Sequence, residues 1–438
     1  MIRTIDLRGQ TPTRNELIAL VPRADTDVSV ASEAAAALID AVREEGLVAL
    51  RDQAERFDKV VPEHVRVPQA EIDAAVAGLE PAVRAALDEA IVRVRQATAA
   101  QIPDARTTTL DDGAVVEQRW HPVERVGLYV PGGKAVYPSS VVMNVVPAQL
   151  AGVGSIAIAS PPQSEFGGSI HPTILGAAGL LGVTEVYAIG GAGAIGALAY
   201  GVDEIGLEAV QVITGPGNVF VAAAKRLVRG VVGIDSEAGP TEILIVADES
   251  AEPEFVAADL VSQAEHDELA AAVLVTDSAA LAQNVLSALS RVAADTAHAA
   301  RVAVALDGPQ SAIVLVDSIE VAAAVSNVYG PEHLELQTAD PDATLAHIHN
   351  AGAIFVGAYS PVSLGDYLAG SNHVLPTGGQ SRFSSGLGAY TFLRPQQLIR
   401  YNRAALEAVA DRIVALSNAE NLPAHGDAVT ARFAQPAG

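Results

Sequence analysis

Residues 185–196 read Glu-Val-Tyr-Ala-Ile-Gly-Gly-Ala-Gly-Ala-Ile-Gly, an apolar run that passes directly into glycines. A short buried strand followed by a glycine-led helix is typical of the βαβ unit of a parallel sheet. Similar apolar runs alternate with Gly- and Ala-rich helical patterns at residues 155–159, 210–214, 243–247, 272–276, 312–316 and 353–356. Because so long a series favours two sheets over one, we predict two parallel sheets with helices on both faces.

Alanine-rich segments flank this region and predict amphipathic helices, because their apolar residues recur three and four positions apart. They lie at Ser32–Glu45, Val48–Phe57 and Glu71–Ala100 before the region, and at Ala404–Leu416 after it. The chain is therefore predicted to be an α/β protein. It has two incomplete Rossmann-like parallel-sheet domains and small helical arms at the N- and C-termini.

Composition excludes several classes of protein. The 438 residues are 50% hydrophobic and carry a net charge of −25, which argues against a disordered chain and against nucleic-acid binding. The absence of cysteine excludes disulfides, iron–sulfur clusters and thiol nucleophiles. The N-terminus lacks the apolar core of a signal peptide, and proline and glycine interrupt the uncharged segment 135–164. We therefore expect a cytoplasmic protein without a membrane span.

Two glycine loops follow predicted strands. Residues 191–196 match G-x-G-x-x-G, in which glycines let a dinucleotide pyrophosphate approach a helix N-terminus. The same pattern also permits tight packing of strand against helix, and Glu208 is a poorly placed candidate for the acidic ribose ligand. The second loop is residues 215–218, Gly-Pro-Gly-Asn. Phosphate binding and packing both stay open.

Histidines beside carboxylates or amides form the candidate chemical site. Four places stand out: Gln263 with His266, Glu332 with His333, Asp366 with His373, and His425 in the tail. Gln263 and His266 are three residues apart on a predicted helix, so their side chains share a face. Without cysteine, a tight metal site needs His, Asp, Glu or Gln ligands, which suit zinc or manganese.

In combination, six segments of the chain resemble the histidinol dehydrogenase family. They are VGLYVPGG at 126–133, GPGN at 215–218, AGPTE at 238–242, QAEH at 263–266, GPEH at 330–333 and GDYLAGSNHVLPT at 365–377. The resemblance covers essentially the whole chain. It implies an enzyme that oxidises L-histidinol to L-histidine through a bound aldehyde in two NAD-dependent steps, the last reaction of histidine biosynthesis.

The resemblance also implies cofactors, assembly and site residues. NAD and one zinc ion per subunit are the implied cofactors, in a homodimer with shared active sites. The implied zinc ligands are Gln263, His266, Asp366 and His425 of the partner subunit. The implied catalytic pair is Glu332 and His333. The zinc ligands and His333 would also contact L-histidinol, together with Thr241, His373 and Glu420. The implied NAD contacts are Tyr129, Asn218 and Gly193, although the family has glutamine at this last position.

The chemistry of these residue types agrees with that reaction. The imidazole and amine of histidinol are good zinc ligands, so the metal can anchor the substrate. His333 can take the hydroxyl proton as hydride leaves, since the ordinary pKa of histidine lies near neutrality. The chain has no cysteine to form a thiohemiacetal, so water must attack the aldehyde. Glu332 is the candidate base for that step.

From the implied site residues, and from glycines and prolines near the boundaries, we predict that the chain has four parts. They are an N-terminal arm (1–25), a Rossmann-like domain with the zinc and acid–base residues (26–128 and 240–378), an inserted NAD-binding domain (129–239), and a helical tail packing on the partner subunit (379–438). Two other functions stay open: a zinc-dependent hydrolase of a small amine or amide, and a non-catalytic binding protein. Reduction of NAD separates the dehydrogenase from the hydrolase.

Overall fold

The structure is a computed structural model that describes residues 2–24, 28–132, 136–237 and 239–434. Gly133 and Ala238 of the quoted motifs lie outside these ranges. The strands are β1 (Arg3–Asp6), β2 (Arg106–Asp111), β3 (Ala114–Pro122), β4 (Arg125–Tyr129), β5 (Ser155–Ser160), β6 (Glu185–Ala188), β7 (Val212–Thr214), β8 (Gly233–Ile234), β9 (Glu242–Ala247), β10 (Ala271–Thr276), β11 (Ala312–Leu315), β12 (His333–Gln337), β13 (Ala353–Val356) and β14 (Leu393–Tyr401).

The helices are α1 (Arg14–Leu20), α2 (Val28–Glu45), α3 (Leu47–Gln53), α4 (Gln69–Ala77), α5 (Pro81–Ala99), α6 (Pro138–Ala151), α7 (Pro172–Leu180), α8 (Gly191–Tyr200), α9 (Val219–Val228), α10 (Pro253–Ala264), α11 (Ala279–Asp295), α12 (Ala299–Asp307), α13 (Ile319–Tyr329), α14 (Pro341–Leu345), α15 (Val362–Tyr367), α16 (Arg403–Ala419) and α17 (Pro423–Thr430). Helices α2, α3, α4 and α16 begin within four residues of the starts that the apolar spacing predicts. A π-helical turn, Ala54–Asp58, continues α3.

The first parallel sheet has six strands in the order β1-β11-β10-β9-β12-β13. From β9 the chain adds β10 and β11 on one side and later β12 and β13 on the other, so the strand order reverses between β9 and β12. Helices α10 to α12 cover one face, and α1 and α13 cover the other. The N-terminal segment is more than the predicted arm, because β1 pairs with β11 as an edge strand.

The second parallel sheet has five strands in the order β6-β5-β4-β7-β8. Its strand order reverses between β4 and β7. In open parallel sheets, ligands bind in the crevice outside the carboxyl ends of the strands at such a reversal. Tyr129 ends β4 and residues 215–218 follow β7, so both lie at this edge.

The helices before residue 100 pack on the five-stranded sheet. The sequence predicts residues 26–128 as part of the domain with the six-stranded sheet. Instead α2 packs on α8 and α9, α4 on α7 and α5 on α6, while β4 is a central strand of the five-stranded sheet. Close approach needs glycine: a Cβ at Gly196 would press on Ile39, and one at Gly176 would collide with Leu79. An alanine-rich sequence does not reveal such pairings.

Residues 102–122 and 393–434 form a separate compact unit. It contains the antiparallel sheet β14-β3-β2 and helices α16 and α17. The sequence predicts α16, but it misses this sheet. Its outer strands are mostly exposed and polar, as in Arg106–Asp111, so they lack the apolar alternation of a half-buried strand.

Within the uncharged segment, residues 138–160 form the buried helix α6, a left-handed turn at Gly152 and strand β5, as predicted. Among the described residues, no helix combines the length and apolar character that crossing a bilayer requires.

Candidate active site and cofactor crevice

The acid–base pair lies at the amino end of β12, beside the point where the strand order of the six-stranded sheet reverses. Glu332 Oε2 accepts hydrogen bonds from Thr241 Oγ1 at 2.6 Å and from the Glu242 backbone N–H at 2.9 Å. His333 Nδ1 lies 3.1 Å from the Glu242 carbonyl oxygen, to which it can donate, and 3.5 Å from Glu332 Oε2. His333 Nε2 is buried and has no partner among the described residues. The backbone contact therefore leaves Nε2 available as a base.

Burial changes the acidity of both groups. It raises the pKa of Glu332 to about 8, although the hydrogen bonds from Thr241 and Glu242 oppose the change. Burial also lowers the pKa of His333, against the opposing charge of Asp366. Both groups consequently favour their neutral forms. Groups with shifted pKa values that touch each other in this way are typical of catalytic sites.

A second buried carboxyl group supports this pair and was missed from the sequence. The Glu242 side chain is 2% exposed, and burial raises its pKa to about 7. Arg23 Nε lies 3.1 Å from Glu242 Oε2, and Tyr329 Oη donates to the same oxygen at 3.3 Å. The Arg23 guanidinium lies over the Tyr329 ring, 4.0 Å from its centroid. The sequence signal that could have identified Glu242 is its position as an acidic residue at the start of the apolar run of β9.

Three of the predicted metal ligands lie near this pair. Gln263, at the end of α10, donates through Nε2 to Thr241 Oγ1 at 2.7 Å, and its Oε1 is buried without a donor among the described residues. Electrostatic interactions link His266 with both Asp366 and His333. The unpartnered amide oxygen, the imidazole and the carboxylate suit a metal such as zinc. The described residues of this chain contain no group of three or more His, Asp or Glu that could hold a metal.

His373 lies between the two parallel sheets. Its Nδ1 is 2.9 Å from the backbone oxygen of Asp366, and its Nε2 is 3.2 Å from Ser140 Oγ on α6. The side chain thus connects the loop after α15 with a helix of the five-stranded sheet. Glu420 and His425 belong to the other unit, where Glu420 follows α16, His425 lies in α17, and both are exposed.

The carboxyl edge of the five-stranded sheet brings the predicted cofactor contacts together. Tyr129 is buried, which raises its pKa to about 12, and its hydroxyl accepts a hydrogen bond from the Gly191 N–H at 3.1 Å. Gly215 has φ +114°, and a Cβ there would collide with the Tyr129 carbonyl oxygen. Asn218 caps α9 by accepting from two backbone N–H groups. Two glycine loops therefore meet beside Tyr129.

A buried ion pair fixes the second glycine loop. Lys225, on α9, pairs with Asp235 and donates to the Gly215 carbonyl oxygen at 3.0 Å. Asp235 in turn accepts from the Gly215 N–H at 2.8 Å. By contrast, Glu208 is at the opposite edge of the sheet, where its carbonyl oxygen accepts from Arg125 at the start of β4.

The chain combines two open parallel sheets, a crevice at one reversal of strand order, and an acid–base pair beside nitrogen and oxygen donors. This combination is typical of an α/β oxidoreductase. Comparison with known proteins makes the assignment specific. Residues 21–433 match the family model described as histidinol dehydrogenase. The chain belongs to the histidinol dehydrogenase family.

Individual relatives agree along the full length. The chain is similar to the histidinol dehydrogenase of Leifsonia xyli subsp. xyli, with 70% identity over 436 residues and coverage of 100% of both chains. It is 58% identical to that of Nocardia farcinica, with 98% of this chain and 97% of the relative covered. A crystal structure of histidinol dehydrogenase from Elizabethkingia anophelis superposes with a TM-score of 0.91 at 33% identity, covering 99% of this chain and 98% of that one.

Proposed function

We propose that this protein oxidises L-histidinol to L-histidine through bound L-histidinal, with two molecules of NAD reduced per histidine. The observation that carries the proposal is the contact between Glu332 and His333, each buried and each tied to the backbone of Glu242. One group can accept a proton from an alcohol and the other can activate water. The full-length similarity to histidinol dehydrogenases supports the substrate, and no feature favours the hydrolase.

The first oxidation needs a base beside the substrate hydroxyl. His333 Nε2 is the unpartnered buried nitrogen, while Nδ1 is held by the Glu242 carbonyl oxygen. His333 therefore takes the hydroxyl proton through Nε2. The carboxyl edge at Tyr129 and Asn218 is the proposed place for NAD, which would supply the hydride acceptor there.

The second oxidation needs a hydrated aldehyde. In the absence of cysteine, Glu332 removes a proton from the attacking water. Because burial raises its pKa to about 8, the carboxylate form increases in the slightly alkaline range. Thr241 joins Glu332 to Gln263 through its hydroxyl and so keeps the base next to the substrate anchor.

Zinc, or manganese with the same ligands, would be held by Gln263, His266 and Asp366 of one subunit and by His425 of the partner subunit. The fit rests on the buried, donor-free Oε1 of Gln263 and on the chemistry of the amide, imidazole and carboxylate donors. The metal would supply an anchor for the imidazole and amine of histidinol. His373 of the same subunit as Gln263 would contact the same substrate, and so would Glu420 of the partner subunit. We propose a cytoplasmic homodimer with neither membrane nor nucleic-acid partners.

Glu332→Gln tests the division of labour. The amide can still accept from Thr241 and the Glu242 N–H, so folding and the first oxidation should be kept. The second oxidation should slow by about 10²- to 10⁴-fold, because a general base contributes that much. Stopped assays should give one NADH per histidinol, with histidinal trapped by semicarbazide. Two NADH per histidinol at a near-normal rate would contradict the role of Glu332.

A further inference from the structure

The side chain of Gln53 lies where residue 193 has none. Gln53 ends α3, which packs against α8. Gly193 lies in the first turn of α8, and a Cβ added there would collide with Gln53 Oε1. The carboxamide of Gln53 therefore takes the space over the first turn of α8 that a side chain at position 193 would fill.

The carboxamide is fixed at one end and open at the other. Gln53 Nε2 donates to the Leu38 carbonyl oxygen at 3.0 Å. No described residue donates a hydrogen bond to Oε1, and the side chain is half-buried. Anchoring through Nε2 orients the amide, so Oε1 is a positioned acceptor without a donor.

The surroundings of Gln53 are those of the cofactor crevice. The same turn of α8 donates the Gly191 N–H to the Tyr129 hydroxyl. Asp58, at the end of the π-helical turn that continues α3, is half-buried and interacts electrostatically with Tyr129. Among the described residues, Asp58 has no hydrogen bond or ion pair. Burial raises its pKa to about 6. Two acceptors without donors thus lie near one helix N-terminus.

We propose that Gln53 Oε1 accepts a hydrogen bond from the dinucleotide, so that Gln53 is a cofactor-binding residue supplied by α3 in place of a side chain at position 193. The donor is a ribose hydroxyl, the adenine amine or the nicotinamide carboxamide, since these are the N–H and O–H groups of the dinucleotide. The inference rests on the proposed use of NAD. It assigns the contact to a residue 140 positions earlier in the chain than Gly193.

Isothermal titration of NAD into the zinc-loaded protein tests the inference. Gln53→Ala should weaken binding about tenfold, the usual loss for one hydrogen bond, while L-histidinol binding and the melting temperature stay close to those of the wild type. Gln53→Met keeps the volume over Gly193 without an acceptor and should weaken NAD binding equally. Gln69→Ala, an exposed glutamine on α4, is the matched control and should bind NAD like the wild type.

ADP-ribose, which lacks only the nicotinamide of NAD, separates the possible donors. Equal loss of NAD and ADP-ribose affinity in Gln53→Ala assigns the contact to a ribose hydroxyl or the adenine amine, and loss for NAD alone assigns it to nicotinamide. Wild-type NAD affinity in both Gln53 variants, with a lowered melting temperature, would mean that Gln53 only fills space and would overturn the inference. Failure of the wild type to bind NAD would instead overturn the proposed function and the inference with it.

Discussion

At the scale of single residues, the burial of Glu332 links the stability of the protein to pH. Its pKa rises from 4.5 to about 8 on folding, so the folded state holds a proton that the unfolded state has lost between these values. Its favourable contribution is complete below pH 4.5 and is lost as the pH rises through 8. The slope reaches about 1.4 kcal/mol per pH unit for one proton.

We therefore expect Glu332→Gln to flatten the pH dependence of unfolding. In urea unfolding of metal-free protein between pH 6 and pH 9, the free energy of unfolding should fall more steeply for the wild type than for the variant. Glu407→Gln, which changes an exposed carboxyl group on α16, is the control and should follow the wild type. Parallel curves for wild type and Glu332→Gln would show that Glu332 titrates normally.

The sequence could indicate functional residues that lie close together along the chain. Glu332 and His333 are neighbours, and Gln263 and His266 share one helix face, so each pair can be predicted. The support from Arg23 to Glu242 joins residues more than two hundred positions apart, and the packing of Gln53 over Gly193 also depends on tertiary structure. Such contacts have no local signal, because they arise only when separate helices and strands pack.

At the scale of elements, the crevice depends on the approach of the loop after β7 to the end of β4. Gly215→Ala should destabilise the protein by about 3 kcal/mol, because φ is +114° and the new Cβ would collide with the Tyr129 carbonyl oxygen. The shift of this loop should also weaken NAD binding. Thermal unfolding and titration of NAD measure the two effects.

Gly182→Ala separates backbone strain from collision. Gly182 has φ +73°, but an added Cβ would have nothing within 4 Å. The Gly182→Ala variant should lose about 1 kcal/mol of unfolding free energy, the usual penalty of a left-handed conformation, and should bind NAD like the wild type. Equal losses in the two variants would contradict the importance of the contact between the loop and β4.

Elements with a strong periodic pattern could be predicted, and exposed ones could not. The run Ile243–Ala247 is apolar throughout because β9 is covered on both faces, and the structure confirms it as a strand. Strand β1 is short and polar, and β14 is mostly exposed, so neither has a clear period. Their pairing with β11 and β3 follows from tertiary contacts that a single sequence does not display.

At the scale of the whole molecule, the proposed zinc site predicts that two subunits share each active site, because its ligand His425 comes from the partner subunit. His333→Ala and His425→Ala should each be inactive alone. Co-expressed in equal amounts, they should regain about one quarter of wild-type activity, because half of the dimers are mixed and each has one intact site. The assay is NADH formation by the co-expressed mixture, and mixed dimers isolated from it through two different purification tags should show about one half of wild-type activity, because one of their two sites is intact.

A homodimer in which each subunit completes its own site gives the opposite result. Every site in the mixed dimer would then contain one defect, and activity would stay at the level of the single variants. As a control, the wild type is co-expressed with the His333→Ala, His425→Ala double variant. The amount of mixed dimer should be similar in the two co-expressions, so that poor assembly cannot be mistaken for absent complementation.

The most direct test of the central claim is the number of NADH molecules formed per histidine by the zinc-loaded wild-type protein with L-histidinol and excess NAD. The absorbance of NADH counts NADH, and amino-acid analysis counts histidine. The proposed double oxidation predicts two NADH per histidine and no free aldehyde. One NADH with released histidinal, or consumption of substrate without NADH, would contradict it.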